Sequence, residues 1–156
     1  MKSILLTVGA SLVLVAACAT TPPKPKTPAE LLLGTWTCET RTSAVAITAN
    51  MTYSADGKET GEMSVGSAGN PTMMFAATGK VDGSWKLIEN DTKLQQTLAN
   101  VTITSAKLND QVIEPAMAQS MIGPSLAGQS SVTDMKIDDK TLTLTDSSGT
   151  ITSCTR

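Results

Sequence analysis

The side chains that perform most nucleophilic and acid–base chemistry are absent or scattered in this chain of 156 residues. There is no histidine, which excludes Ser-His-Asp and Cys-His catalysis and any imidazole metal ligand. A nucleophilic site would then need a Ser-Lys or a carboxylate pair. The lysines are dispersed, and no Ser-x-x-Lys motif occurs after residue 30. We therefore expect no catalytic residue and no enzymatic activity.

Three aspartates are the remaining candidates for metal chemistry: Asp134, Asp138 and Asp146. They would hold a hard cation only if their loops converged, and no EF-hand spacing is present. Asp138-Asp139 also has the composition of a hairpin tip, where neighbouring side chains diverge. The sequence therefore predicts solvated turn carboxylates, with neither a metal nor a cofactor.

Charge and aromatic content argue against nucleic-acid binding. The formal net charge is −2, so no basic excess exists to neutralise phosphates. Only four aromatic side chains occur, too few for a base-stacking platform: Trp36, Tyr53, Phe75 and Trp85.

Methionine is the residue type that indicates binding. The chain has eight methionines, and methionine lines adaptable apolar sites. A candidate apolar pocket combines residues of neighbouring predicted strands with residues of one predicted helix: Met63, Met73, Met74, Phe75, Met117 and Met121. The alternative is that methionine simply fills a core that is poor in aromatic residues.

The elements that must position these side chains are mostly strands. Alternation of apolar and polar residues predicts strands over residues 36–42, 45–54, 59–65, 72–80, 84–89, 97–108, 131–137, 141–145 and 150–156. Asp56-Gly57 and Asp82-Gly83 predict tight turns. Together these features predict an all-β fold, a single antiparallel meander barrel of about eight strands.

One segment has helical rather than strand spacing. Ile113, Met117 and Met121 recur every four residues, and Pro115 suits the first turn of a helix. Gly123-Pro124 predicts its end. We expect one short helix over residues 115–122, before the last three strands, as a plug on one barrel opening rather than a mobile lid.

The N-terminus carries an export signal. Lys2 precedes an apolar run over residues 4–15, which is too short to span a bilayer. The quartet Val15-Ala16-Ala17-Cys18 resembles a bacterial lipobox. The resemblance implies a signal peptide over residues 1–17, a diacylglycerol thioether on Cys18, and acylation of the new amino group with a fatty acid such as palmitate. The alternative is cleavage after Ala17 with Cys18 left free.

The residue after the lipobox suggests the destination. In Gram-negative lipoproteins, Ala19 in place of Asp permits export to the outer membrane. We therefore expect a lipid-anchored outer-membrane protein that faces the periplasm. Residues 18–30 comprise the lipidated cysteine and a tether with four prolines, which favour extended polyproline II structure. The folded domain is predicted over residues 31–156.

Leu33-Gly34-Thr35-Trp36 resembles the Gly-x-Trp opening of lipocalins and related calycin barrels. The resemblance implies that Trp36 lies at the closed end of the barrel, with Arg156 packed over it. The Asp-Tyr dipeptide of lipocalins is missing.

Cys38 and Cys154 remain once Cys18 is assigned to lipid, and an oxidising compartment favours a disulfide between them. If they face each other on antiparallel neighbours, Trp36 lies opposite Arg156, and the first and last strands close the barrel. A bridge at another register is the alternative.

Two functions fit these features. The first is an anchored lipoprotein whose barrel binds a small apolar ligand, such as a lipid or fatty acid. The second is an envelope structural or protein-interaction lipoprotein with a solid barrel, including a role like that of protease inhibitors on similar barrels. A cavity of about 300 Å³ or more would favour the first. A filled interior with an exposed apolar patch would favour the second.

Overall fold

The computed structural model describes residues 24–68 and 74–156. Within them the helices are α1 (Pro28–Leu32) and α2 (Pro115–Leu126). The strands are β1 (Gly34–Arg41), β2 (Val45–Tyr53), β3 (Lys58–Ser67), β4 (Phe75–Ile88), β5 (Lys93–Leu108), β6 (Gln111–Ile113), β7 (Ser130–Ile137), β8 (Thr141–Thr145) and β9 (Ile151–Thr155). None of the described helices is long and apolar enough to cross a bilayer.

Eight of these strands form a closed antiparallel barrel. Neighbours along the chain pair from β1 through β5, β5 then pairs with β7, and β9 returns to β1. The three-residue strand β6 forms a hairpin on the end of β5. Closure leaves few unpaired strand edges. The predicted all-β meander barrel, with one helix before the last three strands, is therefore confirmed.

The closing seam has the predicted register. Cys38 pairs with Cys154 across β1 and β9, and the two sulfurs are bonded. Thr40 pairs with Thr152 on the same face, and their hydroxyls are hydrogen-bonded. The disulfide joins positions 116 residues apart, so it links nearly the whole domain into one covalent loop.

One end of the barrel is closed by α1 and by the residues around Trp36. The Trp36 indole is fully buried and donates a hydrogen bond from Nε1 to the Leu32 carbonyl oxygen at 2.8 Å. The guanidinium carbon of Arg156 lies 4.2 Å from the centroid of the Trp36 ring. Arg156 also donates to the carbonyl oxygens of Leu33 at 2.8 Å and Asp139 at 2.9 Å. A single side chain therefore ties α1, the last strand and the β7–β8 turn together.

Helix α1 begins in a segment predicted as tether. Thr27 caps the helix: its hydroxyl accepts from the Glu30 amide, and the Glu30 carboxylate accepts from the Thr27 amide. Such a capping box satisfies amides that the first helical turn leaves free. Residues 28–30 are therefore helical, and Leu32 is buried under the barrel.

The turn predicted at Asp82-Gly83 does not exist, because β4 continues through it as one strand. Asp82 pairs with Asn100 and Gly83 with Leu98, so β5 has one extra residue at this point. Such a bulge bends the pair without ending it. A Cβ on Gly83 would lie 2.5 Å from the Thr97 carbonyl oxygen, so glycine allows the two strands to approach. Two predicted strands are therefore one.

Helix α2 is longer than predicted, because Gly123-Pro124 lies inside it. Proline removes one helical hydrogen bond, at a position only two residues from the end of the helix. The last turn is still closed by the Ala127 amide, which donates to the Gly123 carbonyl oxygen at 3.0 Å. Helix α2 packs along β5.

Candidate binding site

A cavity of about 300 Å³ lies inside the barrel. Because side chains alternate along a strand, every second residue points inward. The lining residues come from all eight barrel strands and the β8–β9 turn: Cys38, Thr40, Ile47, Ala49, Met51, Tyr53, Met63, Val81, Gln96, Leu98, Ser131, Thr133, Leu144, Asp146, Thr150 and Thr152. The walls are mainly apolar, with polar groups at the two ends.

The rim of the cavity lies at the barrel end opposite α1. It includes Asp146 and Thr150 of the β8–β9 turn. The Asp146 carboxylate is engaged within its own turn, where it accepts from the Ser148 amide at 2.8 Å and the Thr150 amide at 2.9 Å. Hydrogen bonds from the Ser148 side chain and from the Thr150 backbone lower the pKa of Asp146. The rim therefore carries a negative charge.

At the floor of the cavity, Tyr53 and Gln96 line the space and Glu59 lies behind them, and the three side chains form one hydrogen-bonded chain. Gln96 Nε2 donates to the Tyr53 hydroxyl oxygen at 3.1 Å and to Glu59 Oε2 at 2.7 Å. Tyr53 and Glu59 are direct partners across β2 and β3. The Trp85 ring meets Tyr53 edge-on, with centroids 6.1 Å apart, which holds the phenol in place. The hydrogen-bonded chain fixes the Gln96 amide between a hydroxyl and a carboxyl group.

Glu59 is the one charged residue in the described core. It is 1% exposed, and its Oε1 atom has no hydrogen-bond partner. Burial raises the pKa of Glu59 to about 7, against the opposing effect of the Gln96 hydrogen bond. Burial, and then the charge on Glu59, raise the pKa of Tyr53. The floor is therefore neutral below about pH 7.

The described residues of the candidate apolar pocket do not come together in one site. Met63 lines the cavity, and Phe75 packs against the core without lining it. Met117 and Met121 are 59% and 68% exposed, and Met74 is also exposed, so the helical methionines do not cover the cavity. Met73 lies outside the described residues.

The methionines of α2 are exposed because a different face of the helix is buried. Ala118 packs into the core, and Gln119 bonds to the backbone of β5. A spacing of four residues identifies one face of a helix but not which face is buried.

Sequence reasoning missed the floor residues and Met51. A signal for Glu59 exists, since it has the same parity on β3 as Met63 and Val65, which the apolar pattern places on one face. Met51 and Tyr53 are likewise inward-facing on β2. A carboxyl group on the apolar face of a predicted strand is thus the sequence signal for a buried acidic residue such as Glu59.

Of the three aspartates considered as metal ligands, Asp138 and Asp146 accept hydrogen bonds within their own turns, whereas Asp134 lies on β7 with its Oδ1 4.0 Å from Lys93 Nζ. Asp138 Oδ1 accepts from the amides of Lys140 at 2.8 Å and Thr141 at 2.7 Å. Over residues 24–68 and 74–156, no three acidic or cysteine side chains converge as a metal site.

A second depression is a groove of about 940 Å³ between α2 and β5, and it includes Asp82, Asn100 and Gln119. It is open to solvent, whereas the barrel cavity is surrounded by strands. The barrel cavity is therefore the better candidate for specific binding of a small molecule.

No protein-family model matches the sequence, and no curated protein is significantly similar to it.

Proposed function

We propose that the protein is a lipid-anchored outer-membrane protein whose barrel binds a small apolar ligand, of the lipid or fatty-acid type, without catalysis. The observation that carries this proposal is the apolar cavity of about 300 Å³ within the barrel. This volume lies at the lower end of the range for ligand pockets, about 300–1,000 Å³. A cavity of this volume accommodates one short alkyl chain rather than a whole phospholipid.

The cavity is difficult to explain as ordinary core packing. Protein interiors are close-packed, with few voids larger than a water molecule. An eight-stranded barrel is just wide enough either to be filled by side chains or to hold one small ligand. Small or short side chains such as Ala49, Ser131 and Thr133 line the interior, which keeps it open at a cost in stability that ligand binding would offset.

Two further features support the proposal. The closed barrel, with Arg156 over a buried Trp36, is the arrangement that the lipocalin resemblance implies. The lipobox at residues 15–18 supports anchoring through Cys18. An envelope location would expose the cavity to lipids and other apolar molecules.

Binding can be tested with the mature chain made soluble by Cys18→Ala. An alkyl fluorophore should bind in the cavity and be displaced by medium-chain alkyl compounds. Ala49→Phe should abolish binding, because the new ring fills the space that Ala49 leaves. Thr48→Phe is the matched control, since Thr48 directly precedes Ala49 on β2 and its exposed side chain points outward. Failure of every alkyl compound to bind would refute the proposal.

A second candidate is a protein-interaction role, including the inhibitor-like one. Exposed apolar side chains on β6 and α2 favour it: Val112, Met117 and Met121 are 77%, 59% and 68% exposed. Exposed apolar groups mark contact surfaces when they form a contiguous patch. Replacing both methionines by serine should then reduce capture of an envelope protein by the anchored chain, while Ala49→Phe should not.

A further inference from the structure

The lining of the cavity distinguishes among ligands by charge. No lysine or arginine is among its lining residues in the described chain, and Asp146 is the one charged member. The buried Glu59 carboxyl group lies behind the floor, bonded to Gln96. A carboxylate ligand would therefore place a second negative charge near these groups without a cation to compensate it. Like charges in a poorly solvated site are strongly unfavourable.

The floor also has unused hydrogen-bonding capacity. Both hydrogens of the Gln96 amide nitrogen are used, one by the Tyr53 oxygen and one by Glu59. Tyr53 thus accepts a hydrogen bond, while its own O–H donates to no acceptor within the described residues. A buried hydroxyl usually has its donor partnered, and Tyr53 lines the cavity, so an accepting ligand atom there would complete its hydrogen bonding.

An ammonium group does not fit this floor. It has no acceptor for the Tyr53 O–H. Asp146 lies at the rim, at the other end of the cavity from this floor, and the unpaired Glu59 oxygen lies beside Gly83, 2.8 Å from the position that a Cβ would take there. A buried ammonium would thus lack the partner that it needs.

We propose that the cavity selects an uncharged single-chain ligand whose terminal oxygen accepts a hydrogen bond from the Tyr53 hydroxyl, and that it discriminates against carboxylates. A primary alcohol, an ester or an amide has such an oxygen. The inference rests on the proposed function and narrows its ligand class from fatty-acid-like molecules in general to neutral ones.

The test compares four molecules of one chain length at pH 8: octanol, octanoate, octylamine and octane. Each competes with the alkyl fluorophore on the Cys18→Ala chain. Octanol should bind at least ten-fold more tightly than octanoate or octylamine. Tyr53→Phe keeps the ring against Trp85 and should weaken octanol about five-fold, the value of one neutral hydrogen bond, without changing octane. Glu59→Gln should strengthen octanoate binding more than octanol binding, because the amide removes a negative charge behind the floor.

The outcomes separate the inference from the proposed function. Octanoate or octylamine binding as tightly as octanol, or an unchanged octanol affinity in folded Tyr53→Phe, would overturn the selectivity while leaving an apolar binding site. Loss of binding for all four molecules, octane included, would overturn the binding function itself. The tryptophan fluorescence spectrum verifies that each variant is folded.

Discussion

At the scale of single residues, Glu59 makes the free energy of unfolding depend on pH. Its pKa is about 7 in the folded chain and about 4.5 when the chain unfolds. Between these values the folded chain binds more protons than the unfolded chain, so stability falls as pH rises from 4.5 to 7 and stays low above 7. Below pH 4.5 the carboxyl group is protonated in both states, and no loss occurs.

We therefore expect the free energy of unfolding to be about 1–3 kcal/mol lower at pH 8 than at pH 5, as judged by urea denaturation. Glu59→Gln should remove most of this difference, because the amide cannot ionise. Glu62→Gln is the control, since Glu62 is exposed on the same strand, and it should preserve the difference. The lowered pKa values of Asp138 and Asp146 affect stability only at more acidic pH. Equal pH profiles in wild type and Glu59→Gln would contradict the assignment.

A second residue-scale prediction concerns the pair formed by Trp36 and Arg156. Arg156→Ala should cost about 0.5–2 kcal/mol through the lost cation–π contact, and Trp36→Ala about 3–5 kcal/mol because it opens a core cavity. The double variant should lose less than the sum. Arg41→Ala, on the exposed end of β1, should be additive with Trp36→Ala. Additivity for Arg156 as well would exclude an energetic coupling across the seam.

These two residue sites differ in how far the sequence predicts them. Trp36 and Arg156 follow from the facing cysteines and from a pattern at the start of the domain. Glu59 sits next to a turn, where a charged residue is expected to be solvated. It lies against Gly83 of β4 and Gln96 of β5, which are neighbours in space but not along β3. A pattern within one strand does not contain that contact.

At the scale of elements, α2 takes the place of a strand beside β5. β7 pairs with residues 93–97 of β5 and β6 with residues 106–108, which leaves an unpaired stretch between them on that side. Gln119 fills part of it: the Ile103 amide donates to Gln119 Oε1 at 2.7 Å, and Gln119 Nε2 donates to the Val101 carbonyl oxygen at 2.8 Å. The side-chain amide thus makes the two hydrogen bonds that a neighbouring peptide group would make.

Gln119→Leu should therefore cost about 1–3 kcal/mol, because it leaves backbone groups of β5 unpaired beneath the helix. Hydrogen exchange of the Ile103 amide should accelerate in the variant. Met121→Gln is the control on the same helix, and its exposed position predicts a change within about 0.5 kcal/mol. Unchanged exchange at Ile103 would mean that another group protects this edge.

Periodicity predicts most of these elements but not their ends. The strand alternation predicted within residues 75–80 and 84–88 is confirmed. Asp82-Gly83 has the composition of a tight turn but lies inside a continuous strand. The actual turn contains Glu89, Asn90 and Asp91, all with positive φ. Non-glycine residues adopt that conformation only where a tight turn requires it, so their sequence carries a weaker signal than Asp-Gly.

At the scale of the whole molecule, closure of the barrel was predictable and its hollow interior was not. Cysteines in the first and last strands specify which strands meet. The size of the cavity depends on the combined volume of the inward-facing side chains from eight strands. No single segment of the sequence specifies that combined volume.

At the scale of the whole protein, we predict that a lipid on Cys18 anchors the chain to the membrane. Cys18→Ala should release the chain from the outer membrane into the soluble periplasmic fraction, because the lipid-bearing sulfur is lost. Fractionation of cells that express each form measures this. Ser11→Ala, a small change within the apolar signal segment, should leave the chain in the membrane fraction. A Cys18→Ala chain that still sediments with the outer membrane would exclude lipidation as the anchor.

The placement of α1 determines how such an anchored barrel would be oriented. Lys26, just before α1, pairs with Asp139 at the closed end, whereas Asp146 and Thr150 border the cavity at the opposite end. From Cys18 to Lys26 the chain reaches at most ~25 Å in extended form. An anchor at Cys18 would thus keep the closed end next to the bilayer and turn the cavity entrance toward the periplasmic water. Its ligand would then arrive from the aqueous side, carried by a soluble donor or released from the opposing membrane, and not from the leaflet that holds the protein.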